Sequence, residues 1–275
     1  MSSAANPAAA RTLLLVLEYD GTNFSGWQAQ TGTALRTVQG ELEGVLSRVL
    51  QETVRVAAAG RTDAGCHAAG QVASFRTRSA LALPRLARAL TGLLPSDVGV
   101  RSMAEVPVEF HARYAAVERR YHYRLLDRPS PLGSRFGWWP WMKLDPEALN
   151  AAFAPLVGDH DFRAFAGRDP SRDQGSHGRC RVSRLAFVRS DEGVRLEVHA
   201  NRFLYHMVRN LVGTATALVK GTRRAEDLPG ILASCDRRRA GPTAPPKGLC
   251  LMEVVYPEHL APLGDIVDAL GRSSA

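Results

Sequence analysis

With 275 residues, 45% of them hydrophobic, the chain can bury the core of one large domain or of two intimately packed halves. Its formal charge of +8, from 35 Lys and Arg against 27 Asp and Glu, suits an enzyme acting on a polyanion and argues against a purely basic packaging protein. Cys66, Cys180, Cys235 and Cys250 lie far apart without zinc-site spacing and read as free thiols. The leader MSSAANPAAAR lacks the charged start and apolar stretch of a signal peptide, and LLLVL is too short to span a bilayer, so a soluble, cytoplasmic protein is expected.

After a disordered tail over 1–11, TLLLVLEYD predicts a buried strand that ends in the Asp20-Gly21 turn and the loop DGTNFSGWQAQ. TVQGELEGVLSRVL then places Val38, Leu42, Val45, Leu46 and Val49 at helical spacing, with Thr37 as N-cap. TVRVAAAG and QVASFRTR read as strands flanking GRTDAGCHAAG, which puts Asp63 in a Gly-rich loop at a sheet end. LPRLARALTGLL is helical and VGVRSMAEV a strand. In RRYHYRLLD, alternation puts Tyr121, Tyr123 and Leu125 on one face, His122 and Arg124 on the other.

DPEALNAAFAPL opens with Asp145 as N-cap and Pro146 at the first helical position. Residues 158–181 read as a long loop carrying Arg163, Arg168, Arg172, Arg179 and Arg181. VSRLAFVRS and VRLEVHA, joined by DEG, predict an antiparallel hairpin, followed by the helix FLYHMVRNLVGTATALVK, a short helix around EDLPGILAS and the strand GLCLMEVVY. Hairpins in both halves favour a mixed or antiparallel sheet over a doubly wound parallel one.

Local chemistry leaves choices open. Asp63 beside Arg61 reads either as a nucleophile or base, or as the acceptor of an Asx-turn with Arg61 as a surface ion pair. His67 lacks a second ligand at metal spacing and reads as structural. On a helical wheel Leu204, Val208, Leu211, Val212, Ala215 and Val219 form an apolar stripe with Arg209 at its edge, placed either to snorkel or to meet a carboxylate at the rim of a cleft. Tyr121 and Tyr123, among Arg119, Arg120 and Arg124, read either as a base-stacking surface or as core residues under a basic strand.

Taken jointly, GRTDAGCHA, YDGTNFSGWQAQ, FHARYAAVERRYHYRL, FLYHMVRNLVG and KGLCLMEVVYP resemble the tRNA pseudouridine synthase A family, in that family's order and from about Val16 to Pro257. The resemblance implies an α/β (α+β) fold with a mixed, mainly antiparallel central sheet. Two pseudosymmetric halves, 12–115 and 116–260, would surround a central RNA-binding cleft, with a C-terminal tail over 261–275. It implies a homodimer that isomerises uridine to pseudouridine at positions 38 to 40 of the tRNA anticodon stem-loop, without cofactor, metal or membrane. By the same resemblance Asp63 is the essential aspartate, Arg61 fills the space of the flipped base, Tyr121 stacks on the target uracil, and Arg209 pairs with the aspartate. The other arginines, in the 163–184 loop and in CDRRRAG, would grip phosphates, and Cys66, where the family commonly has an aliphatic residue, would be a small buried hydrophobe.

Overall fold

The computed structural model describes residues 10–30, 32–168, 178–260 and 267–268. Two compact units make up the chain, one of Met1–Val117 with Val254–Ala275, the other of Glu118–Glu253.

In the first unit β1 (Arg11–Tyr19) buries Leu13, Leu15 and Leu17, the period-two face that a half-covered strand requires. α1 (Val38–Leu50) begins where the Thr37 Oγ1 accepts the Gly40 N–H at 3.2 Å, and it buries Val38, Leu42, Val45 and Leu46. The strand expected in TVRVAAAG shrinks to β2 (Ala57–Ala58) because helix side chains satisfy the donors before it. Val54 N–H donates to Ser47 Oγ at 3.0 Å, and Val56 N–H to the buried Glu43 Oε1 at 2.9 Å. β3 (His67–Thr77), α2 (Leu83–Leu93) and β4 (Val98–Val106) follow, with β1 antiparallel to both β3 and β4.

In the second unit β5 (Glu118–Leu126) buries Tyr121, Tyr123 and Leu125 and turns Arg124 outward, as its alternation predicts. α3 (Pro146–Phe153) starts at Asp145, whose Oδ1 accepts the Glu147 N–H at 3.0 Å. The long loop expected over 158–181 is interrupted by β6 (Gly158–Asp161), a strand too short and polar for periodicity to reveal. Its partner is β7 (Arg179–Ser190), which forms with β8 (Gly193–Ala200) the hairpin expected around DEG. Residues 169–177 of that loop, Arg172 among them, lie outside the described residues.

α4 (Met207–Val219) starts four residues later than the FLYH pattern suggests, because His206 adopts a left-handed backbone at φ 58° that cannot continue backward as helix. It is buried nearly all round, Asn210, Thr214 and Thr216 included, although Val219 is exposed. α5 (Leu228–Ser234) and β9 (Leu249–Val255) complete the unit, with strand order β9-β5-β8-β7-β6. From Val254 the chain rejoins the first unit, where Tyr256 Oη donates to the Ala112 carbonyl at 2.7 Å. Of the tail expected over 261–275, only β10 (Val267–Asp268) is described, and it pairs with β4. Residues 1–9 of the tail expected over 1–11 lie outside the described residues, Ala10 is exposed, and Arg11 already belongs to β1.

The architecture is therefore α/β (α+β) and mainly antiparallel, with a parallel bridge between Leu125 and Trp138 and helices on the sheets. Burying side chains such as Leu13, Leu46, Phe153 or Phe187 contributes about 1.5–3 kcal/mol each. No helix among the described residues is long and apolar enough to cross a membrane.

One charged contact ties the loop after β1 to the turn before β4. Arg36 donates to both Asp97 oxygens at 2.7 and 2.8 Å, and its guanidinium lies 4.1 Å from the Phe24 ring centroid. Hydrogen bonding from Arg36 holds the Asp97 carboxyl below the usual carboxylate range. A carboxyl depressed in the folded state stabilises above its unfolded pKa of about 3.9 and loses that contribution as pH falls through the lower folded value. Asp97→Asn should therefore cost about 1 kcal/mol at neutral pH, a figure kept small by partial exposure. Thermal melts from pH 7 downward should show the gap between wild type and variant narrowing as pH falls below about 4; a gap that does not narrow would show that the Arg36–Asp97 contact is not its source.

Candidate functional site

Asp63 is half-buried on the loop between β2 and β3, and that loop is held by a neighbouring segment. The Trp27 N–H donates to the Thr62 carbonyl at 3.0 Å, and the Gly65 N–H to the Phe24 carbonyl at 3.2 Å. Thus backbone from the loop after β1 grips the residues on both sides of Asp63. Tyr19 Oη and Thr62 Oγ1, 2.8 Å apart and buried, add a side-chain tie from β1. Gln71, wholly buried on β3, donates to the Gly60 carbonyl at 2.7 Å.

The Asp20-Gly21 turn seats against the far end of the same loop. Gly21 N–H donates to His67 Nδ1 at 3.1 Å, and a Cβ at Gly21 would fall 1.8 Å from the Cys66 carbonyl oxygen. Only a residue without a side chain allows that approach. His67 and Cys66 are both buried, His67 as an acceptor for backbone and Cys66 as core, which bears out their structural reading. All four cysteines are free, and burial pushes the Cys180 thiol up to about 11, away from the reactive thiolate. Asp63 is thus the acid of a loop built from small residues and fixed backbone, with Arg61 exposed two positions before it.

In the second unit Tyr121 is buried on β5 opposite Val198, and its ring meets Phe203 edge-on at 4.9 Å between centroids. Arg209, half-buried in the first turn of α4, donates from Nε to the Ala244 carbonyl at 2.8 Å, while the Ala244 N–H donates to the Arg209 carbonyl at 3.1 Å. That reciprocal pair of bonds escapes sequence reasoning, because nothing in residues 241–244 signals a return to α4. Arg61 and Asp63 belong to the first unit, Tyr121 and Arg209 to the second.

The surface arginines divide. Arg120 is paired with Glu118 and Glu253, Arg124 with Glu192, Arg163 with Asp161, Arg179 with Asp159, Arg184 with Glu197 and Arg238 with Asp236. Exposed pairs of this kind contribute little to stability and can exchange partners. Arg168 and Arg181, both exposed, have no carboxylate partner among the described residues. Burial, followed by the charge of Arg195, pulls the His122 pKa down. Burial, followed by the charge of Arg120, does the same to His199. Among the described residues no group of three His, Cys, Asp or Glu side chains could hold a metal ion.

A family model described as tRNA pseudouridine synthase matches residues 15–115 and 152–257. The chain is 40% identical over 248 residues to a tRNA pseudouridine synthase A of Geotalea uraniireducens, covering 90% of this chain and all of that one. It is 44% identical to one of Chlorobium luteolum, over 90% of this chain and 96% of the relative, and 44% identical to one of Myxococcus xanthus, over 89% and 91%. A solved structure titled as a Cbf5-Nop10-Gar1 complex overlaps 74% of this chain and 43% of its own at 10% identity, with a TM-score of 0.36.

The seat of the Asp63 loop predicts that Gly21→Ala loses about 1–3 kcal/mol from steric conflict with the Cys66 carbonyl. Thermal denaturation measures the loss, and hydrogen exchange should quicken at the Gly65 and Cys66 amides. A melting temperature equal to that of wild type would show that the turn does not seat there.

Proposed function

The chain belongs to the tRNA pseudouridine synthase family, and from that premise we propose how its residues isomerise uridine to pseudouridine in tRNA. The protein is an isomerase acting on tRNA. Its substrate is the anticodon stem-loop at positions 38 to 40, and Asp63 is the reacting group. What carries this reading is the backbone grip on both sides of Asp63, which fixes a carboxylate at the end of a strand connection, where a substrate can meet it.

The chemistry needs no redox partner, since it rearranges one nucleoside. The N1–C1′ bond breaks, the uracil turns while held in the pocket, and C5 joins C1′; the C5 proton leaves and N1 gains one. Two routes suit an ionised Asp63: attack on C1′, giving a covalent sugar adduct that C5 later displaces, or removal of the 2′ proton, giving a glycal to which the turned uracil adds. Arg209 pairs with the carboxylate and orients it. Tyr121 stacks on the target base, and Arg61 fills the gap the base leaves; together they offset part of the unstacking cost of roughly a few kcal/mol. Arg168 and Arg181, both exposed and lacking carboxylate partners among the described residues, meet backbone phosphates.

The enzyme works in the cytoplasm as a homodimer without cofactor or metal. Support for a second copy comes from Leu132, 92% exposed, and Trp141, 79% exposed and 3.8 Å in ring centroid from Trp139. Light scattering should give a dimer that Leu132→Asp with Trp141→Glu converts to monomer; a monomeric wild type removes this part of the proposal.

Asp63→Asn should bind unmodified tRNA within about threefold of wild type, since it removes no phosphate contact, yet form no pseudouridine. Filter binding and a pseudouridine assay on the same tRNA measure both quantities. Retained turnover would sink the assignment of Asp63, and a joint loss of binding and turnover would make it a structural residue.

A further inference from the structure

Three successive arginines follow Asp236, and the structure gives them different surroundings. Arg238 is fully exposed on Asp236 at 2.9 Å, and Arg239 is exposed and reaches the Gly230 carbonyl at 3.3 Å. Arg237 turns inward. Its Nη1 donates to the Gly241 carbonyl at 2.8 Å, and its Nη2 donates to Asn210 Oδ1 at 2.8 Å and Thr243 Oγ1 at 3.1 Å. Every one of these acceptors is neutral, and burial pulls the guanidinium pKa below its ordinary value. Among the described residues no carboxylate pairs with it, and desolvating a cation without one is unfavourable, so stability alone does not explain the choice of arginine here.

The partners of Arg237 converge on Arg209. Asn210, its chain neighbour, is wholly buried; its Nδ2 donates to the Phe165 carbonyl at 2.7 Å, which directs Oδ1 at Arg237 and at Thr243 Oγ1, 2.7 Å away. Gly241 N–H donates to Thr214 Oγ1 at 2.9 Å. A Cβ at Gly213 would lie 1.6 Å from the Pro242 carbonyl oxygen, so residues 241–244 lie directly on α4. That segment ends at Ala244, whose carbonyl holds the Arg209 Nε at 2.8 Å. A planar fork is suited to spanning three acceptors at fixed angles, which a lysine ammonium on a flexible stem cannot reproduce.

We infer that Arg237 is a positioning residue for Arg209, fastening residues 241–244 and Asn210 to α4 so that the Ala244 carbonyl holds the Arg209 guanidinium in one orientation. This rests on the role given above to Arg209 and assigns Arg237 a task other than gripping phosphate.

The test is steady-state turnover of unmodified tRNA by the full-length enzyme, with melting temperatures recorded for every variant. Arg237→Gln and Arg237→Lys should each lower kcat roughly 10- to 100-fold, the range for losing charge-assisted hydrogen bonds, with KM and salt dependence unchanged. Thr243→Val, which leaves the charge in place, should lower kcat in the same sense and decides the matter if the Arg237 variants do not fold. Arg209→Ala combined with Arg237→Gln should be no slower than Arg209→Ala alone, because a residue acting only through Arg209 has nothing further to lose. Full rescue by lysine, or a raised KM with a shallower salt dependence, would make Arg237 a phosphate contact and overturn the inference. Additive losses, or a lowered melting temperature with kcat intact, would overturn it as well. Wild-type kcat in Arg209→Ala would refute the role of Arg209 itself; an inactive Arg209→Ala beside a fully active Arg237→Gln would refute the positioning role alone.

Discussion

Everything proposed for Asp63 depends on a backbone seat made by a different stretch of chain. The Asp63 loop is short of regular pairing of its own, with β2 only two residues long, so Trp27 and Phe24 supply its hydrogen bonds from outside. A buried backbone group left without a partner costs about 1–3 kcal/mol, which makes such borrowed bonds obligatory. The loop after β1 is in turn tied to the turn before β4 by Arg36 and Asp97. Through this chain of contacts the backbone that carries Asp63 is held before substrate arrives, which suits the catalysis by a positioned charge proposed for it.

The second unit solves a comparable problem in a different way. α4 is buried nearly all round, so its polar residues must find partners inside the protein. Asn210 finds them in the Phe165 carbonyl, Arg237 and Thr243, Thr214 finds one in the Gly241 N–H, and Ala244 then receives Arg209. Buried polar networks of this kind fix one arrangement only when every member is satisfied. The interior of the helix therefore determines where an arginine on its rim points.

Much of this was legible in the sequence, for identifiable reasons. Strong periodicity fixed α1, β1, β5 and the β7–β8 hairpin, and capping chemistry at Thr37 and Asp145 fixed two helix starts. Where periodicity was short or overridden it failed. β6 is four polar residues, the region before β2 gave its donors to Ser47 and Glu43, and α4 lost its first turn to a left-handed His206. Asp63, Tyr121 and Arg209 stood out through the family resemblance, since local chemistry alone left each of them a structural reading as well. Tyr19, Thr62, Ala244 and Arg237 did not, because a tyrosine, a threonine, an alanine and one arginine of three carry no mark of what they touch. Arg163, Arg179, Arg184 and Arg238, among the arginines expected to grip phosphate, also have carboxylate neighbours, a pairing that the sequence alone does not reveal.

The central claim is that this protein places pseudouridine in the anticodon stem-loop of tRNA through Asp63. Mapping pseudouridine in tRNA from cells with the gene deleted, and again after restoring either wild type or Asp63→Ala at equal abundance, tests it most directly. Pseudouridine should disappear at positions 38 to 40, return with the wild-type protein and stay absent with the variant. Modification unchanged by the deletion, or restored by Asp63→Ala, would contradict it.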